Sequence, residues 1–90
     1  MNTKRAVVIV NERGLHARAS AKFVKLAETF DAEIFVEKDG NQVGGTSIMG
    51  LMMLAASIGC KINISATGEE AIKALDAIEE LIGDRFGEEV

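Results

Sequence analysis

A two-layer α+β sandwich with element order β-α-β-β-α-β-α is the fold class that the sequence predicts. Three observations carry it. First, short strand-like runs separate two stretches, 17–30 and 69–82, whose apolar residues recur at helical spacing. Second, Asp39-Gly40 lies between two strand-like runs, a strong hairpin signal. Third, "CKINISA" alternates cleanly, with Cys60, Ile62, Ile64 and Ala66 on one face and Lys61, Asn63 and Ser65 on the other. Such alternation implies a sheet with one covered and one wet face, as antiparallel sheets have. Ninety residues leave room for one domain, spanning 1–90.

The elements follow in order. "RAVVIV", 5–10, is β-branched and short, and predicts a strand. Residues 11–15 form a loop with Gly14 as its joint. From Ala17 to Phe30 the apolar residues Ala19, Phe23, Val24, Leu26, Ala27 and Phe30 mark a helix, with Ser20, Lys22, Lys25 and Glu28 left for the wet side. "EIFVEK" and "NQVGG" make the hairpin. Ser47 is placed to cap a second helix in "IMGLMMLAASI", kept short by Gly50. The alternating strand follows. Thr67 or Gly68 opens a last helix, with Glu69 and Glu70 suited to its positive end. Its apolar stripe is Ala71, Ile72, Leu75, Ile78 and Ile82, Gly83 stops it, and "DRFGEEV" is expected to fray. With no tryptophan or tyrosine, Phe23, Phe30, Phe35 and Phe86 carry all aromatic packing.

Charge narrows the function. The formal net charge of -4 argues against nucleic acid, whose phosphates need clustered cations. The acids concentrate late and the bases early, at Lys4, Arg5, Arg13, Arg18, Lys22 and Lys25, so an acidic partner can meet the first half of the chain. One histidine and one cysteine are too few for a metal site, and no metal or cofactor is expected. Cys60 has no partner for an internal disulfide and is expected to pack as a small buried hydrophobe. Gly44-Gly45 lacks the lysine of a phosphate-binding loop. No apolar run is long enough to cross a membrane, and none resembles a secretory signal, so a cytoplasmic chain is expected.

The chain's one histidine stands in "NERGLHARASAKFV", at the predicted start of the first helix. A surface or capping role is the plain alternative, although histidine is uncommon at helix caps. The surroundings favour chemistry. The first N–H groups of a helix, here Ala17 to about Ser20, lack intrahelical partners and favour an anion. Imidazole is a good nucleophile when neutral. Arg18 carries a fork that suits phosphate oxygens, and Gly14 permits close backbone approach. Together these suit a phosphoryl group attached to His16 itself.

"GLHARAS" with "AKFVKLA" resembles the active-site helix of the histidine-containing phosphocarrier (HPr) family of the bacterial phosphotransferase system. "TSIMGLMMLAA" resembles that family's serine-bearing second helix, and "INISATGEEAIKAL" its last strand and helix. Three segments matching in order, at matching length, are far more specific than the Gly-Leu-His-x-Arg string alone. The resemblance implies an open-faced β-sandwich, with three helices covering one face of a four-stranded antiparallel sheet. It implies a monomeric carrier rather than an enzyme. His16 is then the residue phosphorylated, at Nδ1, by enzyme I, and the phosphoryl group passes to sugar-permease A components. Arg18 would stabilise the phosphoryl group, with the backbone of Ala17 and Arg18 contacting it. Ser47 would be the regulatory site of HPr kinase/phosphorylase. The family usually has proline where this chain has Ala19, a change that bears on transfer rate and partner preference rather than on the fold.

The run Ile48, Met49, Leu51, Met52, Met53 and Leu54 is too apolar for a short helix to bury on every face. About half should enter the core; the remainder would form an adaptable docking patch, which suits methionine. The resemblance places Ile48, Met49 and Met52 near the active-site face, and Ala17 with them. Lys22 and Lys25 read as solvated helix residues, or as cations that steer an acidic partner. Two other functions fit the same residues: a nitrogen-branch regulatory paralogue with the same histidine chemistry, and a protein-binding module without phosphotransfer.

Overall fold

The computed structural model describes residues 2–90. Four strands and three helices alternate as β1 (Asn2–Val8), α1 (Ala17–Ala27), β2 (Glu33–Lys38), β3 (Asn41–Gly44), α2 (Ile48–Met53), β4 (Lys61–Thr67) and α3 (Ala71–Gly83), followed by a tight turn at Arg85–Gly87. The strands form one antiparallel sheet in the order β1-β4-β2-β3. The helices cover one face, so the fold is the predicted open-faced sandwich.

Register follows from the burial pattern. In β4, Ile62, Ile64 and Ala66 point to the helices, while Lys61, Asn63, Ser65 and Thr67 face outward. β2 contributes Ile34 and Val36 to the covered face, and its Phe35 stands on the open one, opposite Ser65 and Gly44. Phe23, Leu51, Leu75, Ile78 and Ile82 pack down from the helices with Ile9 and Phe86. The β2–β3 hairpin turns through Asp39 and Gly40, with φ of 52° and 85°. Two successive positive φ angles are what a two-residue type I′ turn requires. Arg5 ties β1 to α3, reaching Asp76 at 2.5 Å and Glu79 at 3.0 Å.

Several boundaries differ from the sequence reading. The first strand covers 2–8 rather than 5–10, because pairing with β4 from Asn2↔Thr67 to Val8↔Lys61 sets its length more than β-propensity does. The first helix ends at Ala27, where Thr29 Oγ1 donates to the Leu26 carbonyl and draws the chain into a turn. Ser20 is buried, donating to the Leu15 carbonyl at 3.2 Å. The last helix starts at Ala71, capped by Glu70, whose carboxylate accepts from the Asp31 N–H instead of serving its own helix end. Ile72, placed in the apolar stripe, is 49% exposed. Cys60 precedes β4 and is only partly buried. Gly50 does more than shorten α2: a Cβ there would lie 3.0 Å from both Val43 Cβ and Ser47 Oγ, so its absence lets α2 sit closely against β3.

The largest difference lies in the last residues. They do not fray. Phe86 is fully buried, Gly87 and Glu88 donate back to Asp84 and Arg85, and the Val90 carbonyl accepts from the Glu12 N–H at 2.9 Å. The apolar stripe that ended the helical pattern at Ile82 thus has one further anchor, displaced into a turn. Among the described residues, no helix is long and apolar enough to cross a membrane.

Candidate functional site

His16 occupies the N-cap of α1. Its backbone is extended (φ -77°, ψ -176°) and its carbonyl accepts the first helical bond, from Ser20 N–H at 2.9 Å. The N–H groups of Ala17, Arg18 and Ala19 therefore precede the first intrahelical donor and carry the positive end of the helix dipole. The imidazole makes no cap bond of its own.

Gly14 builds this corner. Its φ is +64°, and a Cβ there would lie 2.3 Å from the Ala56 carbonyl oxygen. Leu15 N–H donates to that same oxygen, at 2.9 Å. The loop before His16 is thus pressed against the segment after α2 with no room for a side chain. Asn11 closes the loop from within: it is fully buried, and its Nδ2 donates to the Gly14 carbonyl at 2.9 Å.

The ring is not an open surface group, as its side chain is only 24% exposed. Its Nε2 lies 2.5 Å from Oε2 of Glu88, brought there by the ordered tail. Oε1 of the same carboxylate accepts from Asn11 Nδ2 at 3.1 Å. The hydrogen bond from His16 holds the Glu88 carboxyl below the usual carboxylate range, with Asn11 and the charge of Arg13 acting the same way against partial burial. Among the described residues no group bonds Nδ1. Beside the ring, Arg13, Arg18 and Lys22 line a shallow cleft of about 320 Å³ opposite Gly87–Val90. Arg18 is exposed and, among the described residues, makes no ion pair. Lys22 is engaged, donating to the Phe86 carbonyl at 2.6 Å. Lys25 is exposed on the same helix.

Ser47 caps α2, with its Oγ accepting from Gly50 N–H at 3.0 Å, and it is exposed. α2 packs against α1. Leu51 and Leu54 enter the core, whereas Ile48, Met49, Met52 and Met53 stay exposed, Met49 at 68%. Four of the six residues of the run are thus exposed, where about half was expected to enter the core. No group of three potential metal ligands is assembled among the described residues.

Two residues of this constellation escaped the sequence reading. Asn11 stood in the stretch that drew attention, and an asparagine between a strand and a glycine is a turn signal that can be read. Glu88 offered none: it lies 72 positions from His16, in a segment rich in acid and poor in apolar residues.

Fold and site define a small α+β protein that presents a histidine at the first turn of a helix, over a sheet whose other face is open. Known proteins give this class a family. A family profile described as the PTS HPr component phosphorylation site matches residues 3–84. The phosphocarrier protein HPr of Cupriavidus necator is 46% identical over 85 residues, covering 94% of this chain and 96% of that protein. The phosphocarrier protein NPr of Shewanella violacea is 41% identical, over 94% of this chain and 93% of its own. Among solved structures, HPr-C-His from Thermoanaerobacter tengcongensis superposes with a TM-score of 0.93 at 42% identity, covering 98% and 99% of the two chains. A second structure from that organism, described as an HPr dimer, gives 0.77 at 44% identity, over 91% and 94%. The chain belongs to the HPr family of phosphocarrier proteins.

Proposed function

We propose that this chain, acting as one cytoplasmic domain and as a monomer, carries a phosphoryl group on His16, taken from phosphorylated enzyme I and given to the A components of sugar permeases. The observation that supports this most is the asymmetry of the imidazole. One ring nitrogen is held by Glu88, while among the described residues Nδ1 has no partner, beside the free N–H groups of a helix start. In-line phosphoryl transfer needs the nucleophile and the departing group to face each other across two proteins, so the accepting nitrogen must stay open. Arg18 stabilises the transferred group by its charge and its two-pronged donors. Ile48, Met49 and Met52 form the apolar centre of the docking surface, with Ala17 and Lys25 at its rim. Lys22 contributes charge there while bonded to the tail.

Ser47 is the second modification site in this reading, phosphorylated by HPr kinase/phosphorylase. Its exposure at a helix start supports that, since the dipole stabilises an added phosphate. The carbon branch is the leading assignment. The NPr relative supports the nitrogen branch as the second reading. Incubation with enzyme I and labelled phosphoenolpyruvate tests the carrier chemistry. Label should appear on the protein, be lost in acid, and vanish in His16→Ala. An acid-stable product, or label retained in His16→Ala, would exclude His16. Transfer rates to sugar-permease A components, set against nitrogen-branch acceptors, separate the two branches.

A further inference from the structure

We propose that Glu88 is a positioning residue for His16, fixing the imidazole in the tautomer that carries its proton on Nε2 and leaves the lone pair on Nδ1. This rests on the reading of Nδ1 as the phosphoryl acceptor. An ionised carboxylate only accepts hydrogen bonds, so the short contact between Oε2 and Nε2 requires a proton on the ring nitrogen. In the neutral ring the other nitrogen is then bare.

The carboxylate is held independently of the histidine. Asn11 Nδ2 faces two groups that only accept, the Gly14 carbonyl and Glu88 Oε1, so the orientation of the amide is determined and the oxygen cannot take its place. The buried Asn11 is part of the Gly14 loop that also sets the His16 backbone, so ring and carboxylate share one frame. The tail approaches from the other side. Arg85 and Phe86 both adopt φ of 55°, a left-handed conformation that disfavours residues with a Cβ. The burial of Phe86, the Lys22 bond to its carbonyl and the Glu12 bond to Val90 hold this costly turn in place. A strained segment fixed at three points, with a carboxylate delivered to one ring nitrogen, places that nitrogen's proton as the acid of a catalytic triad does.

The chemistry then balances without a proton leaving His16. The lone pair on Nδ1 attacks phosphorus of the phosphorylated donor, the donor's bond to phosphorus breaks, and its electron pair returns to the donor. The Nδ1–P bond forms while Nε2 keeps its hydrogen, and the positive charge gained by the ring faces the Glu88 carboxylate. Passing the group on reverses these steps. With the proton on Nδ1, the ring would first have to lose it.

Two-bond ¹H–¹⁵N correlation spectra of the uniformly labelled, unphosphorylated chain at neutral pH test this before any transfer is attempted. The neutral ring of the wild-type chain should show the Nε2–H pattern. Glu88→Gln, whose amide can donate to Nε2, should shift the ring toward the Nδ1–H form. It should slow phosphorylation by at least about tenfold, a loss typical of partners that orient a histidine. KM for enzyme I should stay near wild type, and Glu88→Asp should restore part of the rate. A wild-type ring with its proton on Nδ1, or an unchanged ring and rate in Glu88→Gln, would overturn the proposal. If the Nε2–H pattern depends on Glu88 but enzyme I labels no form of the chain, the positioning role stands and the phosphocarrier reading fails.

Discussion

The ammonium group of Lys22 donates to the backbone carbonyl of Phe86 across 2.6 Å, joining the exposed side of α1 to the segment that reaches His16. The bond converts a surface cation into a clasp for the tail. Phe86 supplies the anchor beneath it. Phe86→Ala should therefore destabilise the fold by about 3–5 kcal/mol, the usual loss for a buried phenylalanine. Lys22→Met should cost only about 1 kcal/mol, since one hydrogen bond is lost and the stem can still pack. Urea unfolding measures both. A tail that frayed in solution would make Phe86→Ala silent.

Acid should loosen the same contact. The Glu88 carboxyl is held below its ordinary range in the folded chain, chiefly by the hydrogen bond from His16. Glu37, bonded by Gly40 N–H and Asn63 Nδ2, is held down as well. In the window below the ordinary carboxylate range the unfolded chain binds more protons, so stability rises with pH there. Each contribution is complete above the unfolded value and lost as pH falls through the lowered folded one. The melting temperature of the wild-type chain should exceed that of Glu88→Gln above the ordinary carboxylate range. Below about pH 4.3, an ordinary value for a glutamate, the margin should shrink. A margin that grew in acid would reverse the assigned sign.

Gly14 sets the corner that presents the histidine. With φ at +64° and no space for a Cβ, Gly14→Ala combines backbone strain with a clash against the Ala56 carbonyl. The expected loss is roughly 2 kcal/mol or more. In a chain of this size that lowers Tm by about 10 °C, which calorimetry reads directly. Because the displaced backbone is that of His16 itself, phosphorylation should slow even in the fraction that stays folded.

Most of this architecture was legible, and the parts that were not share a cause. Local patterns expose what local physics decides: the alternation of β4, the Asp39-Gly40 turn, the Ser47 cap and the helical period of α1 all appear as read. His16 at the start of α1 was equally legible, because cap position and chain direction are local. Pairing fixed the extent of β1 instead of its own propensity. The partial burial of Cys60 and the burial of Ser20 depend on which neighbours arrive, and no periodicity reports that. Glu88 is the extreme case. Its role comes from a contact between residues 72 positions apart, made by a turn that its residues do not favour.

The proposed docking surface can be tested at Met49. Met49 is 68% exposed, so Met49→Asp removes little packing and should change stability by less than about 0.5 kcal/mol. Apolar anchors hold complexes together more than rim charges do, and a carboxylate at the centre of such a patch is desolvated without a partner. Binding to enzyme I should weaken by at least about tenfold, equivalent to about 1.4 kcal/mol. Calorimetric titration checks this, and normal affinity would remove Met49 from the interface.

Ser47 tests regulation at the same surface. Its Oγ accepts from Gly50 N–H, and aspartate is an equally good cap, so Ser47→Asp keeps α2 folded and adds a charge that the helix dipole stabilises. The change is therefore confined to the surface. A phosphate on Ser47 adds about -1.5 to -2 charges next to Ile48 and Met49, and the aspartate adds one. An acidic partner surface is then repelled, and apolar groups that dock there must desolvate an unpaired anion. In the proposed reading, regulation would act by weakening docking, while His16, Glu88 and the Gly14 corner keep their geometry. Ser47→Asp should bind enzyme I more weakly than wild type and accept phosphate from it more slowly at low donor concentration. At saturating donor the rate should recover, because the proposed chemistry at Nδ1 would be untouched. Its circular dichroism spectrum and melting temperature should match wild type closely. An unchanged affinity, or a rate that stays low at saturation, would place the effect of Ser47 on the histidine itself instead of on the docking surface.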